Sequence, residues 1–193
     1  MAKDSVLSTT IPLPSNRRFL FSKEVTAESI SELSERILEV NEEDEFLTKL
    51  YHIHELTYIR KPLKIFLDSP GGFVYCCFGL LSIMDKSKTP IHTIATGAAM
   101  SCGFLILIHG HRRFAYEHAT PMYHQVMGGA IGKISDMEED VIETKRLHDK
   151  IEEMTLAKTK IPKKKLQKIY KTKKDWFMTV KEAEKYGVID EVI

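Results

Sequence analysis

The chain is short of several things that would settle its class at once. It has only three cysteines in 193 residues, Cys76, Cys77 and Cys102. They make no CxxC pair and no zinc spacing, so a disulfide framework and a zinc ribbon are both excluded. An odd count suits reduced thiols in a cytoplasm-like compartment. Charge of one sign is also missing. The formal net charge is +1, so no global pull toward nucleic acid or membrane is expected. No apolar run approaches the length that crosses a bilayer. The first residues, MAKDSVLSTTIPLPSNRRF, lack the apolar centre of a secretory signal, and a cytoplasmic location follows as the expectation. There is no Walker A or GxGxxG pattern, so this chain is not expected to hold ATP or any other cofactor. No internal repeat or low-complexity segment interrupts it.

What is present reads as one α/β domain. The length suits a single sizeable core. Residues 1–18, with Pro12 and Pro14, read as an irregular arm, and residues 19–193 as the domain. Phe19–Phe21 predicts a short strand. Thr26 predicts an N-cap, followed by Ile30, Leu33, Ile37 and Leu38 at helical spacing. Asn41 to Asp44 reads as an acidic loop or helix end, and 45–60 is ambiguous. Leu63, Ile65 and Leu67 alternate with Lys64, Phe66 and Asp68, which predicts a buried strand. It ends in Ser69-Pro70-Gly71-Gly72, and helical spacing resumes with Val74, Phe78, Leu81 and Met84. A strand follows at 91–95. Short strands are expected within 112–117 and 121–125. From Lys133 to about Lys158 no Gly or Pro occurs, and Met137, Val141, Ile142, Leu147, Ile151, Met154 and Leu156 form an apolar stripe on a long helix. Pro162 suits a helix N1 position. Thr179 and Glu182 form a capping box with Gly187 as C′ glycine, and Val188–Ile193 reads as a closing strand. Alternating strands and helices predict a mostly parallel sheet.

The chemistry concentrates at Thr96-Gly97-Ala98-Ala99-Met100-Ser101-Cys102-Gly103. Apolar runs flank small residues and one hydroxyl. The pattern predicts a strand, a tight turn and a buried helix whose first turn carries Ser101. A hydroxyl there lies near free N–H groups and the positive end of the helix dipole, where an acyl-transfer nucleophile is placed. The commoner use of such a serine is as an N-cap. His124, in Met122-Tyr123-His124-Gln125, is the best base, although a lone histidine is more often structural. Asp175 is the lone carboxylate in a basic stretch and precedes Trp176-Phe177-Met178; it suits the orienting acid, or a turn cap. Parallel strands put their C-terminal turns on one edge, so the backbone N–H groups of Cys102 and of the Gly71-Gly72 turn could serve one oxyanion. His52-x-His54 and His109-x-His111 would each face one side of a strand, yet neither has a third ligand, and no metal site is expected. The lysines at 158–174 lack interleaved aromatics, so no nucleic-acid role is expected.

Five segments, in order, resemble one family, the proteolytic subunit of the Clp protease. They are Phe66–Gly72, Gly97-x-Ala99-x-Ser101-x-Gly103, Met122–Gln125 with Gly128-Gly129 and Gly132–Asp136, Asp175–Met178, and Glu182-Ala183 with Tyr186–Asp190. The likeness covers roughly residues 63–193. It implies a ClpP/crotonase-like fold with repeated β-β-α units and a handle helix at about 133–158. It implies a serine endopeptidase with Ser101 as nucleophile, His124 as base and Asp175 as acid, and with oxyanion N–H groups on Gly72 and Cys102. Gly71, Gln125, Val126 and Met127 are then expected to line substrate. It further implies a homo-oligomer of two stacked heptameric rings, fed with unfolded polypeptide by an ATP-driven AAA+ unfoldase. Alternatives are a catalytically silent ring subunit and a crotonase-type acyl-CoA enzyme. The sequence departs from the family pattern in having Met100 and Cys102 about the serine and Val126-Met127 after His-Gln, and residues 1–60 match poorly.

Overall fold

Alternation in Leu63, Ile65 and Leu67 translates directly into burial, because successive strand side chains face opposite ways. All three are buried while Lys64 and Asp68 are exposed. The computed structural model describes residues 16–193; most of the expected arm, residues 1–15, lies outside the described residues. The described strands are β1 (Arg18–Phe21), β2 (Leu63–Ser69), β3 (Ile91–Met100), β4 (Arg112–Ala115), β5 (Thr120–Tyr123), β6 (Trp176–Phe177) and β7 (Glu191–Val192). The helices are α1 (Ala27–Ile53), α2 (Val74–Lys86), α3 (Cys102–Ile108), α4 (Ile134–Lys158), α5 (Lys163–Thr172) and α6 (Val180–Lys185).

The path β1-β2-β3-β4-β7 is parallel throughout. β3 is long enough to serve two partners in succession. Its first half pairs with β4 over His92–Ala95, and its last residues pair with β5 over Ala98–Met100. β6 then pairs antiparallel with β5. Between the halves sits Gly97, where a Cβ would lie 2.6 Å from Asp68 Oδ1. The Asp68 carboxylate uses that space to accept the Ala98 N–H at 2.7 Å.

α3 is buried along its whole length. It touches β2 closely at Gly103, where a Cβ would stand 2.8 Å from the Ser69 carbonyl oxygen. Burying Leu105, Ile106 and Leu107 contributes about 1.5–3 kcal/mol each, which anchors the helix behind the sheet edge.

Outside the site, the structure corrects four readings. Asn41–Asp44 is neither loop nor helix end, because α1 continues to Ile53. The Asn41 carboxamide oxygen accepts the Lys88 and Thr89 N–H groups, and its amide donates to Ser87. Asp44, fully buried, accepts from Arg17, Tyr58 and Thr89. Tertiary partners thus absorb the polarity that looked like a break. Pro162 is the N-cap of α5, one position before N1. The closing strand is only Glu191–Val192, since Val188 and Ile189 are held by bonds to the Ala183 carbonyl. The paired histidines lie outside strands. His52 is in α1 with His54 its C-cap, while His109 caps α3 and is bonded to the Leu105 carbonyl, and His111 accepts the Ile91 N–H.

α4 has two halves of different character. Leu147 and Ile151 are buried, whereas Ile134, Val141 and Ile142 are 77%, 69% and 69% exposed. The apolar stripe is core at one end and an open apolar face at the other. Among the described residues no helix is long and apolar enough to cross a membrane.

Candidate active site

Pairing with β5 keeps β3 extended to Met100. The tight turn expected ahead of Ser101 is therefore strand up to Met100, and the chain reverses at one residue. Ser101 has φ 54° and ψ −117° and stands just before α3 rather than within its first turn. A non-glycine residue in that region costs on the order of 1–3 kcal/mol and persists only when its surroundings fix it. Here the Ser101 N–H donates to the Met122 carbonyl at 3.0 Å, and the buried α3 holds the other side. The strain turns the hydroxyl outward at the sheet edge, as a nucleophile on a strand-to-helix corner requires.

Register brings the other two side chains in. Met100 pairs with Met122 across β3 and β5, so His124 leaves β5 beside Ser101. Its Nε2 lies 2.9 Å from Ser101 Oγ. In the antiparallel β5–β6 pair, Met122 faces Phe177 and Tyr123 faces Trp176. One step further along that register sets Asp175 opposite His124, with Asp175 Oδ1 3.5 Å from His124 Nδ1. That is ion-pair distance, longer than a good hydrogen bond. Lys173, in the left-handed region at φ 53°, stops α5 and lets the chain turn into β6. Trp176 is fixed by the Lys165 ammonium 3.8 Å above its ring and by an edge contact with Tyr186. Asp175 is thus held from behind while its carboxylate stays half exposed.

The glycine turn is required twice over. Gly71 has φ 100°, and a Cβ there would lie 2.6 Å from Ser101 Cβ. Gly72 has φ 148°, and its Cβ would lie 2.3 Å from the Val25 carbonyl oxygen. Val25 N–H donates to Gly71 O at 2.7 Å and Phe73 N–H to Val25 O at 2.8 Å. That bridge leaves the Gly72 N–H outside the pairing. Cys102, the first residue of α3, has an N–H that the helix itself cannot satisfy.

These groups border a cleft of about 290 Å³. Val126 and Met127 border it, and so do Gly72, Cys102 and the three polar side chains. Gly71 lies beneath Ser101, and Gln125 borders a neighbouring cavity with His148 and Tyr170. Sequence reasoning missed Val74, Leu105 and Ile151, which form the apolar wall. Val74 and Ile151 read as ordinary helical periodicity and Leu105 as part of an apolar run, and nothing local marks which apolar residue will face a cleft. Among the described residues no group of three or more His, Cys, Asp or Glu side chains gathers to hold a metal.

A corner serine bonded to a histidine ring, with a carboxylate 3.5 Å from its far nitrogen and the Gly72 and Cys102 backbone bordering the same cleft, has the parts for acyl transfer. The comparisons agree with that chemistry. A family model described as Clp protease matches residues 16–193. The ATP-dependent Clp protease proteolytic subunit 2 of Bacillus licheniformis is 36% identical over 135 residues, which cover 69% of this chain and 70% of the relative. With the match running through every described element and the site sitting on the strand edge that the matched segments build, the chain belongs to the Clp protease family.

Proposed function

We propose that this chain is a serine endopeptidase, the peptidase core of a Clp-type protease, in which Ser101, His124 and Asp175 carry the reaction. The observation that carries this is the 2.9 Å approach of Ser101 Oγ to His124 Nε2, with Asp175 on the other ring nitrogen. Ser101 Oγ attacks the scissile carbonyl and passes its proton to Nε2. The developing oxyanion is received by the Gly72 and Cys102 N–H groups. His124 then protonates the leaving amine, and water, deprotonated by the same nitrogen, releases the acyl group. Asp175 favours the tautomer with the proton on Nδ1 and stabilises the charged ring. The apolar cleft wall accepts an apolar side chain of an extended substrate.

The reaction so drawn uses side chains and backbone alone, with no cofactor in this chain. ATP hydrolysis belongs to a separate unfoldase that delivers unfolded polypeptide. The exposed apolar half of α4 supports assembly through this helix, as two stacked seven-membered rings enclosing the sites. A cytoplasmic setting, with three free thiols, completes the reading. An aligned triad favours it over a silent subunit, and the family match favours it over an acyl-CoA enzyme.

Ser101→Ala is expected to abolish cleavage of a short fluorogenic peptide and capture of a fluorophosphonate, with the assembly's sedimentation unchanged. Turnover retained in that variant would remove Ser101 from the mechanism.

A further inference from the structure

The two residues that offer the oxyanion N–H groups are also joined to each other by a side chain. Cys102 Sγ donates to the Gly72 carbonyl oxygen at 3.2 Å. Cys77 Sγ, from α2, donates in turn to the Cys102 carbonyl oxygen at 3.6 Å. Both thiols are buried, at 0% and 1% exposure for Cys77 and Cys102, and Cys102 borders the cleft.

The Gly72 turn is tied to Val25 on one side and, through the Cys102 thiol, to α3 on the other. The φ of Gly72, 148°, is open to glycine alone, and glycine has the widest backbone freedom of any residue. The Val25 bridge fixes the carbonyl of Gly71 and the N–H of Phe73. Because each peptide unit is planar, that bridge also orients the Gly72 N–H and carbonyl, but it ties them to Val25; the bond from the Cys102 thiol to the Gly72 carbonyl is the tie that joins the turn to α3. An oxyanion hole works only when both donors are already aimed at one point before charge develops.

We propose that the Cys102 side chain is a positioning residue, a thiol strap that holds the Gly72 turn in register with the N-terminus of α3 so that the two backbone donors converge. The inference rests on the serine-peptidase reading above. A buried cysteine that merely filled space would behave as a small apolar residue. The two roles predict opposite orders of replacement, since serine keeps the donor and loses apolar volume, whereas alanine and valine keep apolar character and lose the donor.

The test is steady-state hydrolysis of a short fluorogenic peptide by full-length Cys102→Ala, Cys102→Val and Cys102→Ser, each shown to sediment as the unaltered chain does. The expected result is a kcat about three- to tenfold lower in the alanine and valine variants, the span that one weak neutral hydrogen bond allows. KM should stay within about twofold, because the bond acts on the transition state. Cys102→Ser should recover most of the loss. A kcat in alanine or valine equal to or above that of serine overturns the strap, and so does a change confined to KM. If alanine fails to assemble, the valine-to-serine comparison decides alone. Turnover and fluorophosphonate capture by the unaltered chain test the parent reading separately. Their absence overturns both proposals, whereas turnover with the wrong order of variants overturns only this one.

Discussion

Two aspartates set the same functional group in opposite surroundings. Asp44 is wholly buried and saturated. Arg17 reaches it with two nitrogens at 2.6 and 2.9 Å, and the Tyr58 and Thr89 hydroxyls at 2.6 Å each. Asp175 is half exposed and meets one partner at 3.5 Å. A carboxylate with every lone pair engaged is a structural fixture: burial opposes its charge, but the bonds from Arg17, Thr89 and Tyr58 overcome that and hold its carboxyl below the usual range. A carboxylate with capacity to spare can respond when charge appears on its neighbour. Saturation and burial therefore separate an acid that holds the fold from the one proposed to serve the reaction.

Breaking each aspartate should separate activity from stability. Asp175→Ala is expected to lower kcat by roughly 10²–10⁴, because the His124 tautomer loses its guide. Its melting temperature should hardly move, as is usual for a half-exposed position; equal losses in both would place Asp175 in the fold rather than the reaction. Asp44→Ala should do the reverse. Leaving Arg17 without its buried partner costs about 3–5 kcal/mol, read by denaturant unfolding, while kcat per folded site stays close to that of the unaltered chain.

The same contrast has a pH signature. The carboxyl of Asp44 is depressed in the fold, so its contribution is present above the unfolded value of about 3.9 and is lost as pH falls through the lower folded value. Acid unfolding should shift in Asp44→Asn, and an unchanged acid limb would show that other groups set it. Burial and the bond to Asp44 push Tyr58 up to about 12. Its contribution is present below the unfolded value of about 10 and is lost as pH rises through the folded value. Tyr58→Phe should flatten that alkaline limb. The smallest effect is expected from Thr89→Val, about 1 kcal/mol for one buried hydroxyl bond. A loss as large as that of Asp44→Ala would mean that the cluster acts as a unit.

The handle offers a separate check. Replacing exposed Val141 and Ile142 with aspartate should split the assembly without unfolding the chain, since Leu147 and Ile151 keep α4 on its own core. An unchanged sedimentation profile would show that the open half of the stripe does not join rings.

What the sequence determined by itself was whatever depends on neighbours along the chain. Period-two alternation marked β2, and 3.6-residue spacing marked α2 and α4. The Thr179–Glu182 box and Gly187 marked α6, because capping is settled within a few residues. Small residues around Ser101 marked the corner, and the glycines of 71–72 marked the turn that needs positive φ. Tertiary structure alone decided where β3 ends, since pairing with β5 carries it to Met100. It decided that Asn41–Asp44 is helix, because the groups that neutralise Asp44 lie far off at Arg17, Tyr58 and Thr89. It decided that Ile151 walls the cleft while Val141 stays open on the same stripe. It also set His124 between Ser101 and Asp175, through a strand register linking residues 23 and 51 positions apart. Local preference is a short-range energy. Register, charge pairing and the facing of a stripe are long-range, and they exist only once the sheet has closed.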